Sequence, residues 1–267
     1  MEKLSKQKIG NLGIYEFQGY IGSMTSPTFG GWKGTDTLIE LLNIKEMKEP
    51  KILDVGCSTG YITRYIAQQF DCEIIGIDLS ELLIDIAQEE ALKSNLINTS
   101  FQIANVEKLP FPDNSFDIVY GEAITALVPE PIKVINEYKR VLKPDGKIAT
   151  LDVFMKKTLK EEFVGEINEI MTNVIGTEIK IKTLQDWKDI FQESGLHDIK
   201  INDYYEDIFK RSYSFSEMVK ITFKLLYHLI TNKKIRQKVL PTLKFARKFQ
   251  KALKGDYFGY FIFTGIK

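Results

Sequence analysis

From residue 51 to residue 154, short apolar runs alternate with stretches of helical period. This alternation constrains the fold more than any other feature of the chain. The runs read "KILDV", "CEIIGIDL", "FQIAN", "FDIVYGE" and "KIATLDVF". They are dense in Ile, Val, Leu and Phe, as expected of strands covered on both faces. Between them lie "TGYITRYIAQQF", "SELLIDIAQEEALKSN" and "PEPIKVINEYKRVL", which carry helix signals. Ser80 stands as an N-cap, and prolines open the third stretch. Further on, "TLQDWKDIFQESG" begins at a Thr cap and stops at Gly195, and two more strands follow as "DIKINDYY" and "YFGYFIFTGI". Strands alternating with helices predict an α/β fold with a doubly wound, mostly parallel sheet of seven strands.

Three regions lie outside this repeat and set the expected organisation. Residues 1–49 precede the first strand and form an N-terminal lid and helix. Residues 50–204 with 256–267 form the Rossmann-like domain. Residues 205–255 form a helical, basic cap inserted before the last strand. Residues 156–182, the third region outside the repeat, sit between the fifth strand and its helix and carry a helical pattern in "KEEFVGEINEIMTNVIG".

The stretch "ILDVGCSTGYIT" is a strand, a glycine-spaced turn and a helix, the arrangement that holds nucleotide-type ligands in such sheets. A dinucleotide fingerprint needs a glycine in the middle of the turn, where this chain has Ser58. Asp54 just before the turn would repel a pyrophosphate. A Walker loop is absent, since no Gly-Lys-Ser/Thr follows. Open backbone N–H groups beside a carboxylate instead suit an amino-acid-like ligand. Asp78, at the end of "EIIGID", is placed to accept from a ribose diol, and Leu79 offers an apolar face to a base. Asn105 and the backbone of Val106, in "NVEKLPF", can pair with an adenine edge. An amino acid, a ribose and an adenine in series are the parts of S-adenosylmethionine.

With these residues in place, the chain resembles the class I S-adenosylmethionine-dependent methyltransferases. It is most similar to the branch of ubiquinone/menaquinone C-methyltransferases and small-molecule methyltransferases. The matching stretches are "ILDVGCSTGYIT", "IIGIDLS", "ANVEKLPFPDNSFDIVYGEA" and "EYKRVLKPDGKIATLDVF". The resemblance implies the family's sheet with its last strand antiparallel. It implies that Asp54, Gly56, Cys57, Ser58 and Gly60 form the first cofactor loop, that Asp78 holds the ribose, and that Asn105 and Val106 meet the adenine. It places Glu122 on the methyl-donor side, where it contacts cofactor and serves as base or substrate ligand. Two positions depart from the family: Ser58 stands where Gly is usual, and Asn105-Val106 where Asp-Ala is usual.

Methyl transfer from a sulfonium requires alignment and exclusion of water, with a base only where the acceptor must lose a proton. Tyr204 and Tyr205 end the sixth strand at the ligand edge and are candidates to bind the acceptor. The stretch "YEFQGYIGSMTSPTFGGWKGTD" reads as a lid, with Tyr15, Tyr20 and Trp32 as acceptor contacts, and Thr35 or Asp36 as cap of the following helix. His197 precedes the sixth strand at the opposite edge and is rejected as catalytic. His228 belongs to an apolar helix and reads as core. Two isolated histidines and two separated cysteines form no metal cluster, so no metal is expected.

Cys57 and Cys72 fall at opposite ends of neighbouring strands, about 16 Å apart, too far to bridge. Buried free thiols fit a reducing, cytoplasmic setting. "MEKLSKQKIG" has no apolar core behind its charges, so no leader is expected, and no run reaches the length of a membrane span.

Net charge is zero, but it is unevenly spread. Residues 205–255 carry 13 Lys and Arg against 3 Asp and Glu, with aromatics between them; the rest carries 23 basic and 33 acidic residues. Phe245, Phe249 and Ala252 recur at helical spacing. The expected acceptor is a small or lipid-like molecule, with peripheral contact to an anionic surface through residues 205–255. The alternatives are a nucleic-acid methyltransferase and a non-catalytic S-adenosylmethionine-binding partner protein. The position after the fourth strand reads "GEAIT" rather than the Asn-Pro-Pro-Tyr of base-amine methylation, so nucleic acid is not the expected partner. The same stretch lacks the further acids of an aminopropyl transferase.

Overall fold

The computed structural model describes residues 4–23, 31–157, 159–175, 180–204, 215–254 and 257–267. In chain order the helices α1 (Lys6–Asn11), α2 (Ile14–Ile21) and α3 (Gly31–Leu42) lead into the repeat. Then come β1 (Lys51–Val55), α4 (Tyr61–Gln69), β2 (Glu73–Asp78), α5 (Glu81–Lys93), β3 (Thr99–Ile103) and β4 (Phe116–Glu122). They are followed by α6 (Pro131–Val141), β5 (Leu142–Met155), α7 (Glu161–Ile175), α8 (Leu184–Glu193) and β6 (His197–Tyr204). Helices α9 (Phe215–Thr231) and α10 (Lys233–Lys254) precede β7 (Phe258–Ile266).

The seven strands form one sheet in the order β3-β2-β1-β4-β5-β7-β6. Strands β1 to β5 pair in parallel, and β7 runs antiparallel between β5 and β6. The central strands are covered on both faces, which is why they read as apolar runs. On one face Leu53, Val119, Tyr138, Trp187 and Phe263 form a core with α6 and α8. On the other, Ile52, Ile74, Ile118 and Ile262 pack with Leu38 and Leu42 of α3 and Ile66 of α4. Helix α3 is therefore part of the sheet's core and not of a lid.

Local signals place the helix ends. Ser80 accepts from the Leu83 amide at 3.4 Å at the start of α5. Thr183 and Asp186 cap α8 reciprocally, and Gly195 ends it at a φ of 66°. Pro131 occupies the first turn of α6. One expectation fails. Thr35 and Asp36 cap nothing, because α3 already runs from Gly31 and both lie in its interior. Thr35 is fully buried there, and Asp36 accepts from the Tyr65 hydroxyl at 2.9 Å.

The segments at the two ends of the chain pack on each other. Ile9, Ile14, Phe17 and Ile21 of α1 and α2 share a core with Ile235 and Val239 of α10 and Leu225 of α9. Asn232 donates to the Lys6 carbonyl at 3.0 Å across 226 residues of sequence. His228 lies in this core, its ring against Phe17, Tyr20 and Tyr227.

Candidate functional site

Parallel strands leave their carboxyl ends along one edge, and the expected residues gather there. The turn after β1 takes positive φ at Gly56 (74°), Ser58 (52°) and Gly60 (65°). At Gly60 an added Cβ would lie 2.5 Å from the Phe101 ring, so both its conformation and the space demand glycine. Ser58 takes the left-handed conformation despite its side chain, at a cost of roughly 1–2 kcal/mol.

The turn's amides are already engaged. Gly56 and Cys57 donate to the Ile77 carbonyl at 2.8 and 2.9 Å, and Gly60 donates to the Cys57 carbonyl at 2.8 Å. Ser58 donates to Asp78 Oδ2 at 3.0 Å. The expectation of open N–H groups is thus corrected for these four residues: three lock the turn onto β2 and the fourth, of Gly60, closes the turn on itself. Asp78 also accepts from the Ser80 amide at 2.9 Å through Oδ1, so backbone fixes the carboxylate at the tip of β2. Each of its oxygens keeps lone-pair capacity for a further donor. Beside it Leu79 is 73% exposed, an apolar side chain left in the open at the edge.

Asp54 is buried and accepts from the Thr63 hydroxyl at 2.5 Å. Burial pushes its carboxyl up to about 6, and the hydroxyls of Thr63 and Tyr120 hold it back. Tyr120 sits at the same register on β4. Cys57 is buried among Ile84, Ala87 and Phe101, its thiol pushed well up by burial. It is a packing residue, as is the buried free Cys72.

Further along the edge, Glu122 ends β4 and accepts the Thr35 hydroxyl at 3.1 Å through Oε2. Ile124, just beyond it, comes within about 3 Å of where a Cβ on Gly56 would be. The loop after β4 therefore lies against the glycine turn. Beneath this loop Asp152 of β5 is fully buried and accepts from the Ala126 amide at 3.0 Å. Burial raises it to about 7, with that amide and the hydroxyls of Thr125 and Thr150 opposing.

Asn105 is exposed, and its Oδ1 accepts from the Glu107 amide at 2.9 Å, forming the turn after β3. Val106 is half-buried against the α6 face. Of the aromatic candidates, Tyr15 is partly buried on α2, and burial raises its hydroxyl. Tyr20 is engaged with His228, and the Trp32 ring packs tilted against Tyr61 and Tyr65 of α4, with centroids at 5.7 and 4.6 Å. Tyr204 ends β6 at the same edge, and Tyr205 lies outside the described residues. His197 opens β6 at the far edge.

Sequence reasoning missed Thr35, Thr63, Tyr120, Asp152 and Glu16. Glu16 of α2 accepts the Ser80 hydroxyl at 2.8 Å and so ties the N-terminal helices to the tip of β2. All five fall inside stretches quoted above, but their roles come from long-range partners; only strand register could have flagged Tyr120, opposite Asp54. Among the described residues, no group of three or more His, Cys, Asp and Glu side chains is arranged to hold a metal.

A family model described as a methyltransferase domain matches residues 46–195, more than half of the chain. The chain is 37% identical over 174 residues to an uncharacterised protein of Haemophilus influenzae, covering 64% of this chain and 66% of that one. It is 31% identical over 140 residues to phosphoethanolamine N-methyltransferase 3 of Arabidopsis thaliana, covering 52% of this chain and 28% of that protein. The fold matches the structure of Haemonchus contortus phosphoethanolamine N-methyltransferase 2 in complex with S-adenosyl-L-methionine. There the TM-score is 0.70 at 20% identity, over 98% of this chain and 57% of the other.

Proposed function

The chain belongs to the methyltransferase domain family, and we propose that it transfers the methyl group of S-adenosylmethionine to a small-molecule or lipid-like acceptor. The observation that carries this reading is the convergence of two fixed carboxyl groups, Asp54 and Asp78, on one glycine turn at the sheet's carboxyl edge. The residues fit the cofactor. Asp54 is a buried acid faced by the neutral hydroxyls of Thr63 and Tyr120, a setting that an ammonium group would relieve. Asp78 keeps acceptor capacity for a ribose diol, and exposed Leu79 offers the base an apolar face. Asn105 and Val106 flank that face at the end of β3.

S-adenosylmethionine supplies an activated methyl on a sulfonium. The chain's own residues then bind, orient and exclude water. Asp54 and Asp78 fix the amino-acid and ribose ends. Ile124 closes the loop after β4 over the turn. Glu122 faces the acceptor side, where it accepts an acceptor proton or holds a cationic acceptor, with Thr35 setting its carboxylate. Tyr15, Tyr204 and Tyr205 are the acceptor contacts of this reading; Tyr20 and Trp32 are left to packing by their ring contacts. The relatives named for phosphoethanolamine favour a small polar acceptor over the quinone-type branch.

Asp78→Ala tests the site. Charged hydrogen bonds contribute roughly 1.5–3 kcal/mol, so calorimetry should show about tenfold to hundredfold weaker cofactor binding. Unchanged affinity would overturn the ribose assignment. Radiolabelled methyl donor, offered with polar and lipid metabolite extracts, tests the transfer itself. Binding without labelling of either extract would leave a non-catalytic binding protein.

A further inference from the structure

We infer that the α9–α10 hairpin is a docking surface for an anionic phospholipid bilayer. The surface starts from a pattern on α9. Val219, Phe223, Leu226 and Ile230 recur at i, i+4, i+7 and i+11, which puts them on one stripe of the helix. All are exposed, Phe223 at 71% and Ile230 at 75%. The buried face of α9 is a different one, where Leu225 and His228 meet the core shared with α1 and α2. The exposed stripe is thus left over after the helix has packed. Lys220 and Lys224 lie along one flank of it, both in solvent.

Charge decides the occupant. Residues 215–254 hold 11 Lys and Arg against one acid, Glu217, while the rest of the chain holds 25 basic and 35 acidic residues. An exposed apolar stripe edged by lysines fits a surface that is apolar beneath and negative at its rim, which is an anionic bilayer. The same hairpin on a second copy would meet it with like charge, which opposes a symmetric dimer through this face. The chain enters the hairpin from the carboxyl end of β6 and returns to β7 at Phe258, opposite Met155, the carboxyl end of β5. The strands that flank the hairpin in sequence thus meet it at the edge of the sheet that carries the candidate site. The inference stands apart from the acceptor's identity, since docking is read without any methyl transfer.

The test is co-sedimentation of the full chain with vesicles of phosphatidylcholine mixed with phosphatidylglycerol, and with phosphatidylcholine alone. Binding to the mixed vesicles that fades with added salt is expected. Phe223→Glu combined with Ile230→Glu should abolish it. Lys220→Gln combined with Lys224→Gln should weaken it about thirtyfold, from roughly 1 kcal/mol per lysine. Cofactor affinity, measured on each variant, should match the parent and so report an intact fold. Absence of vesicle binding would overturn the inference, as would unchanged binding by the Phe223/Ile230 variant. Self-association that the same variant removes, without vesicle binding, would overturn it in favour of a second copy.

Discussion

Asp54 shows how one residue can couple the fold to its ligand. Its folded pKa of about 6 lies above the ordinary 3.8, because burial penalises the charge. The folded chain therefore holds this proton more tightly than the unfolded chain. The residue's contribution to stability is complete below about pH 4 and is lost as pH rises through 6. A bound ammonium reverses that preference and favours the carboxylate. Cofactor affinity should accordingly be level above pH 7 and fall about tenfold per unit below pH 6. Binding near pH 6 should release a proton, which calorimetry in buffers of different ionisation enthalpy would detect. An affinity that stays flat down to pH 5 would remove Asp54 from the ammonium role.

At the scale of elements, the N-terminal helices are packing partners of the helices near the other end of the chain. Phe17 of α2 is 1% exposed and sits between His228 of α9 and the α10 residues Ile235 and Val239. Replacing a buried Phe by Ala costs about 3–5 kcal/mol, and here the loss falls on the helices at the two chain ends. Phe17→Ala should speed amide exchange across α1, α2, α9 and α10 while leaving β1, β4 and β5 protected. Equal acceleration in the sheet would show that the helical cap and the sheet open as one unit. Glu16 joins the two by holding Ser80, so the same variant should also weaken cofactor binding modestly.

For the whole molecule, the cofactor reading makes the sheet's edge the place where ligand adds stability. Cofactor at a hundred times its dissociation constant adds about 2.7 kcal/mol. For a chain of this size that raises the melting temperature by about 5–10 °C. Differential scanning calorimetry would measure it, and the Asp78→Ala variant should lose about half of the shift or more at equal cofactor concentration. An equal shift in the variant would place the stabilising contact elsewhere. Among the described residues no helix is long and apolar enough to cross a membrane.

The sequence by itself determined the strand order along the chain, the helix caps at Ser80 and Thr183, and the gathering of Asp54, Asp78, Asn105 and Glu122 at strand ends. These are short-range matters: apolar period, turn chemistry and the direction of a parallel strand. Only the tertiary structure decided who partners whom. Thr35 reaches Glu122 across 87 residues, and Lys6 meets Asn232 across 226. The turn's amides look free in the sequence, yet they close onto Ile77 and Asp78 because β2 lies beside β1. Two segments that read as a separate lid and cap became one core, since neither helix pair can bury its apolar stripe alone. The physical reason is that a polar group or an apolar face fixes what kind of partner it needs. Which partner it gets depends on chain closure over long separations, and local pattern carries no record of that.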